Sequence, residues 1–346
     1  MLRAGIITFH NAENYGAALQ TYALKSTLEK MGCDTRVIDY RNRGVFLRNT
    51  IKNLYYAFTM QRPLKNHRQY QRFQNQHLNL SDRTYMSVTD FETDADDFDV
   101  LFFGSDQIWN PDLSNGFDPF YFGQFRTKAR KVAYAASIGK DRLSAQEEQT
   151  LNTLSSTFDA ISVREESAVQ VFNQDVSCVV DPCMLLSAAE WRELSPTSTI
   201  REPYLLIYQL HPDKRLLKAA VELARPANKK IYMISPYLDF RHRHLTHNLG
   251  RISPREFISY YDQADLVLSD SFHGTIFSIL FEKPFYTFLP GEKTGRITSL
   301  LAKLNLSERI VTDDSLPEGE INFESANPLV EKEVSQSLEY IRRNLI

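Results

Sequence analysis

The chain of 346 residues carries only three cysteines, Cys33, Cys178 and Cys183, and no CxxC pair. That excludes a disulfide-stapled scaffold and a cysteine-based zinc site, and it predicts a reduced, cytoplasmic protein. No run approaches the roughly 18 apolar residues that span a bilayer. The N-terminus turns polar by His10-Asn11, too early for the apolar core of a signal peptide. Charge of one sign is also lacking: Lys plus Arg number 40 against 43 Asp plus Glu, a net of −3. Any anion site must therefore be local, and without a duplex-reading motif no nucleic-acid partner is expected. There is no repeat of fixed short period, no GxGxxG fingerprint and no GxxxxGK[ST] loop, so dinucleotide and P-loop cofactors are not expected.

What is present is ordinary globular chemistry of roughly two-domain length. The 17 tyrosines and 22 phenylalanines fit a large core or sugar-facing surfaces, and they do not separate the two. The opening reads β-α-β: the apolar run Ala4 to Phe9, apolar residues at helical spacing from Leu19 to Leu28, a stop at Gly32, and a strand at Thr35 to Tyr40. Further strands are predicted at 98–103, 132–137, 160–163 and 177–180, and helices at 144–157, 166–173 and 187–194. After a Ser/Pro/Thr-rich break at 194–203 a second alternation starts at Tyr204. Its strands are expected at 204–208, 230–234, 266–268 and 284–288. Its helices are expected at 213–225, 254–263, from Gly274, at 295–304 and at 329–344. The fold class is therefore α/β, two Rossmann-like domains facing across a cleft, with boundaries 1–197 and 198–346 and a C-terminal helix. Residues 41–81 stand apart, with eight Arg or Lys interleaved with aromatics and no acidic residue. They suit either an anionic membrane surface and a lipid-linked pyrophosphate, or a helical insertion packed by its aromatic face with the arginines in water.

Several strand ends carry chemistry-bearing residues. Asp270-Ser271-Phe272-His273-Gly274-Thr275 opens a helix after Leu266-Val267-Leu268. Open α/β sheets bind ligands at such an edge, where a helix N-terminus faces an anion, Gly274 lets it approach and His273 exchanges a proton. The plain alternative makes Asp270-Ser271 a helix cap and His273 a turn histidine. Arg164, in Ser162-Val163-Arg164-Glu165-Glu166, offers a bidentate anion clamp, or an ion pair with Glu165 or Glu166 on a solvated face. Gly104-Ser105-Asp106-Gln107-Ile108-Trp109 combines carboxylate, amide and indole, a sugar-binding set in which Trp109 stacks on a pyranose and Asp106 serves as base. An Asx turn with a core tryptophan reads equally well. Asn14-Tyr15-Gly16 before the first helix, with Gln20 one turn inward, leaves room for a polar ligand. Arg241-His242-Arg243-His244 with His247 lacks acidic or cysteine partners, so no metal is expected there.

Taken in order, the stretch from Ile7-Thr8 through Asn14-Tyr15-Gly16-Ala17 to Tyr22 begins a specific series. Gly104 to Trp109, Ala133-Tyr134-Ala135-Ala136-Ser137-Ile138-Gly139, Ser162 to Glu165, Val180-Asp181-Pro182 and Ser271-Phe272-His273-Gly274 continue it. Together they resemble the polysaccharide pyruvyl transferase family. The resemblance implies a GT-B-like arrangement, phosphoenolpyruvate as co-substrate with no other cofactor, and a pyruvate ketal on a sugar in capsule or exopolysaccharide synthesis. It places Arg164 and an Arg-x-His element at the donor. The histidine of that element matches His273 and its arginine falls on Ser271, a departure for which Arg296, with Lys293 behind it, is the expected substitute. The donor set is then Arg164, Ser271, His273, Gly274, Thr275, Arg296 and Lys293, with His273 and Asp106 catalytic. The acceptor set is Asn14, Tyr15, Gly16, Gln20, Ser105, Asp106, Gln107 and Trp109. The acceptor is expected to be a lipid-linked oligosaccharide, with peripheral contact at the inner membrane face. The alternatives are a GT-B glycosyltransferase using a nucleotide sugar and a catalytically silent carbohydrate-binding member of the fold.

Overall fold

A computed structural model describes residues 1–42, 67–196, 200, 202–236, 244–249, 252–289, 291, 295–313 and 315–345. Lys293, Arg241 to Arg243 and positions 43–66 of the basic stretch lie outside the described residues. Two compact units emerge among those described. The first takes in residues 1–42, 70–186 and 331–345; the second takes in residues 67–69 and the described part of 187–330.

The first unit holds seven parallel strands: β1 (Arg3–Ile7), β2 (Asp34–Tyr40), β3 (Leu80–Tyr85), β4 (Val100–Phe103), β5 (Arg130–Ala136), β6 (Ala160–Val163) and β7 (Val176–Cys178). Their order is β3-β2-β1-β4-β5-β6-β7, so the direction of winding reverses between β1 and β4. The helix Tyr15–Lys30 begins where the Asn14 side chain accepts the Ala17 N–H, and it buries Ala18, Leu19, Ala23, Leu24 and Leu28. The unit's core is unusually aromatic, with Tyr40 stacked on Phe120 at 3.7 Å between ring centroids. In the helix His67–His77, Tyr70 and Phe73 are buried while Arg68 and Arg72 face solvent. Over these residues the packed-insertion alternative holds.

The second unit holds β8 (Tyr204–Tyr208), β9 (Lys230–Ile234), β10 (His247–Asn248), β11 (Leu266–Ser269), β12 (Phe285–Phe288) and β13 (Ile310–Val311), in the order β10-β9-β8-β11-β12-β13. Again all pairs are parallel, and winding reverses between β8 and β11. One cluster of its core is largely aliphatic, around Leu205, Ile207, Leu216 and Leu268, and another is aromatic, with Tyr208, Phe257, Tyr261 and Phe277 in mutual contact.

The expected boundaries at 197/198 need correction. The helix Ala188–Leu194 belongs to the second unit, because Trp191 packs edge-on against Phe277 and Arg192 pairs with Asp262. The chain from Glu331 belongs to the first unit: Tyr340 donates its hydroxyl to the Ala133 carbonyl, and Ser337 Oγ accepts the Val180 N–H. No helix among the described residues is long and apolar enough to cross a membrane.

Candidate functional site

At the carboxyl edge of the first sheet, the segments that leave β1, β4, β5 and β6 are tied into one buried polar network. Gln20 donates from Nε2 to Thr8 Oγ1 and accepts the Ser105 N–H, and Ser105 Oγ donates to the Ala135 carbonyl. Loops that converge on a sheet edge must satisfy their own backbone groups, and these side chains do that. Gln20 and Ser105, expected as acceptor ligands, are therefore engaged within the fold, and Asn14 is engaged as a helix cap. Trp109 is corrected more sharply. Its indole is fully buried, stacked on Phe122 at 5.4 Å, with Nε1 donating to the Tyr121 carbonyl. It is a core residue, and no face remains for a pyranose.

Asp106 and Gln107 are the members of that loop that reach solvent. Asp106 sits in the left-handed region (φ 69°), which its short side chain tolerates by accepting the Gln107 N–H at 2.8 Å. Gln107 Oε1 accepts from Asn110 Nδ2, close against Gly139. Any side chain at Gly139 would overlap both amides, and its φ of 66° favours glycine as well.

Behind Asp106 lies Arg164, buried rather than on a solvated face. Its Nη1 donates to Asp181 at 2.6 Å, and Asp106 and Glu165 stand 3.8 and 3.9 Å from other guanidinium nitrogens. Burial disfavours the charged form, yet the carboxylates of Asp181, Glu165 and Asp106 outweigh it and hold Arg164 protonated. Asp106 and Glu165 thus stand farther from the guanidinium than Asp181 does. Glu165 also accepts the Ser137 hydroxyl. Sequence reading offered Glu165 only as a surface partner for Arg164 and carried Asp181 only within Val180-Asp181-Pro182; neither was expected in a buried cluster around the arginine. Burial, reinforced by Asp181, pushes the Cys183 thiol up and away from thiolate chemistry.

A second buried carboxylate stands on β2 of the same sheet. Asp39 accepts from His10 Nε2 at 2.9 Å, from Arg41 Nε and Nη2, and from Thr84 Oγ1. Burial works against its ionisation, but the hydrogen bonds from His10, Arg41 and Thr84 prevail and hold the carboxyl far below the usual aspartate range.

The edge of the second sheet differs. Ser271 caps the helix Phe272–Leu280 by accepting the Gly274 N–H at 3.3 Å. Asp270 does not cap; both its oxygens turn to the segment after β8, accepting the Leu210 and His211 N–H groups at 2.7 Å each. Gly274 proves to be demanded by packing: a Cβ there would lie 2.8 Å from the Tyr261 hydroxyl and closer still to Ser269. Thr275 is fully buried and donates to the Ser271 carbonyl. His273 occupies the first turn, its ring edge-on to Phe272 at 5.4 Å and its surface 8% exposed. The Arg296 guanidinium lies over the other partner of that pair, 5.8 Å from the Phe272 centroid. A cation, an imidazole and a capped helix start thus stand around Phe272.

Comparison with known proteins follows this geometry. Among solved structures, the UDP-GlcNAc 2-epimerase of Methanocaldococcus jannaschii is similar at a TM-score of 0.55, with 12% identity over 99% of each chain. Anabaena HepE in complex with UDP and glucose is similar at 0.54, with 10% identity over 100% of this chain and 99% of that one. At such identities the likeness is one of fold: α/β, two Rossmann-like domains, GT-B-like. None of the curated proteins matches. The family model described as polysaccharide pyruvyl transferase matches residues 14–291, most of the chain, and the chain belongs to that family.

Proposed function

We propose that the protein moves the pyruvyl group of phosphoenolpyruvate onto two hydroxyls of one sugar residue, forming a pyruvate ketal. The observation that carries this reading is the corner of the second unit where Arg296, His273 and the Ser271-capped helix start gather around Phe272. Phosphoenolpyruvate brings about −2.5 to −3 charges, a phosphate monoester plus a carboxylate. Such a ligand needs a guanidinium and oriented N–H groups, which this corner supplies.

In the proposed chemistry, protonated His273 gives its proton to the C3 methylene, and C2 becomes electrophilic. Asp106 takes the proton of the first sugar hydroxyl as that oxygen bonds C2. The C2–O bond to phosphate then breaks, the electron pair leaving with phosphate. The second hydroxyl closes the ketal and yields its proton to the departing phosphate. Arg164 keeps Asp106 in place, and Gln107 hydrogen-bonds the acceptor. A lipid-linked oligosaccharide at the inner membrane face, in capsule or exopolysaccharide synthesis, is the proposed acceptor. That part draws on the cationic and aromatic sequence of 41–81.

The test is incubation of the full chain with phosphoenolpyruvate and lipid-linked glycans, following phosphate release and a pyruvate-ketal mass gain. The His273→Gln variant should lose turnover by about 10³-fold, within the range of positioned acid–base groups. Release of UDP from UDP-sugars, with no phosphate from phosphoenolpyruvate, would replace this reading by glycosyl transfer.

A further inference from the structure

The segment leaving β8 carries His211, to which the sequence gave no role. Its imidazole is 59% exposed, whereas the side chain of its partner Asp270 is 1% exposed. Asp270 immediately precedes the helix cap Ser271. Besides the two main-chain N–H groups of Leu210 and His211, it meets His211 Nδ1 at 3.1 Å. A carboxylate oxygen facing Nδ1 takes its N–H, and Nε2 is the nitrogen turned away from Asp270. Two main-chain bonds are enough to fix the segment. The third orients a side chain that is itself largely exposed.

The location has a meaning of its own. Tyr208 of β8 pairs with Ser269 of β11 at the point where strand order reverses, and open α/β sheets bind their ligands outside that point. The strap from Asp270 therefore joins the β8 segment to the helix start that carries His273, with Arg296 over Phe272 beside it.

We propose that His211 is a ligand for the phosphoryl group of the donor: in the complex Nε2–H hydrogen-bonds a phosphate oxygen while Nδ1 stays on Asp270, the positioning residue that fixes the ring. This assignment rests on the phosphoenolpyruvate reading and names the group that recognises the phosphate end. Hydrogen bonds to an ionised acceptor are short and roughly twice as strong as neutral ones, so one such contact is measurable in affinity.

Calorimetric titration of the full chain with phosphoenolpyruvate tests it. His211→Ala should weaken binding by about tenfold or more, since bonds to charged groups contribute on that scale. His211→Gln, which keeps an N–H donor near the position of Nε2, should stay within about threefold of the natural chain. A side chain that only fixes the β8 segment would lower the melting temperature of His211→Ala and leave the affinity alone. That result, with the natural chain binding normally, overturns the His211 assignment and spares the donor reading. If Gln fails to rescue affinity while folding normally, the assignment is also overturned. A natural chain that does not bind phosphoenolpyruvate removes the donor reading, and the assignment with it.

Discussion

Two parallel sheets, each reversing its winding at a central strand pair, end in edges of opposite chemistry. At the first, Asp39, Asp106, Glu165 and Asp181 gather around His10, Arg41 and Arg164, and most of them are buried in mutual bonds. At the second, one buried carboxylate, Asp270, is set against His211, with His273 and Arg296 close along the chain or packed at the helix start. The topology is the same, so the difference lies in the few residues just past each strand. A carboxylate-rich edge suits hydroxyl groups that must give up protons; a cationic edge suits a phosphate ester. The charges of the first edge are mostly buried in mutual bonds, while His211 and Arg296 of the second reach solvent.

That contrast can be broken by experiment. Replacing Arg164 by Met should lower stability by about 3–5 kcal/mol in urea unfolding, because three carboxylates lose their buried cation. Tolerance of Arg164→Met, with an unchanged midpoint, would mean that the first edge is not the rigid one.

Asp39→Asn should cost somewhat less, about 3 kcal/mol at neutral pH, again by removing one member of a buried pair. Its pH dependence sharpens the point. The carboxyl is depressed below its ordinary value of 3.8, so the stability it lends is complete above that value. It is lost as the pH falls through the ordinary range and on toward the lower folded one. Melting temperatures between about pH 4 and about pH 2 should fall less steeply in Asp39→Asn than in the natural chain; parallel curves would contradict the assignment.

The smallest effect is expected at the second edge. Arg296→Ala should leave the melting temperature nearly unchanged and weaken phosphoenolpyruvate binding by about tenfold in calorimetry. A large loss of stability with normal affinity would make Arg296 a packing residue over Phe272.

Most of the fold was legible in the residues. Strands 160–163, 204–208 and 230–234 and helix 254–263 coincide with the expected bounds, since apolar runs and helical spacing were clear there. Strand β3, Leu-Ser-Asp-Arg-Thr-Tyr, was missed because an edge strand with polar side chains carries no apolar period. The two-residue strands β10 and β13 are too short to leave any. The domain boundary was placed at the Ser/Pro/Thr-rich break, whereas packing of Trp191 moves it ahead of that helix.

The site was legible in position more than in role. The residues singled out stand just past strand ends, and Arg296 lies over Phe272. Trp109, Gln20 and Gly274 were given to ligands, and the fold engages them internally. His211 escaped notice because its partner Asp270 lies 59 residues away.

By itself the sequence determined the alternation of strands and helices and the edges at which chemistry-bearing residues cluster. These follow from local periodicity and backbone preference, which neighbouring residues set. Only the tertiary structure decided which of those side chains face a ligand and which close the fold. That choice depends on hydrogen-bond partners that the chain brings together from distant segments, as when Asp181 takes Arg164 and Asp270 takes His211.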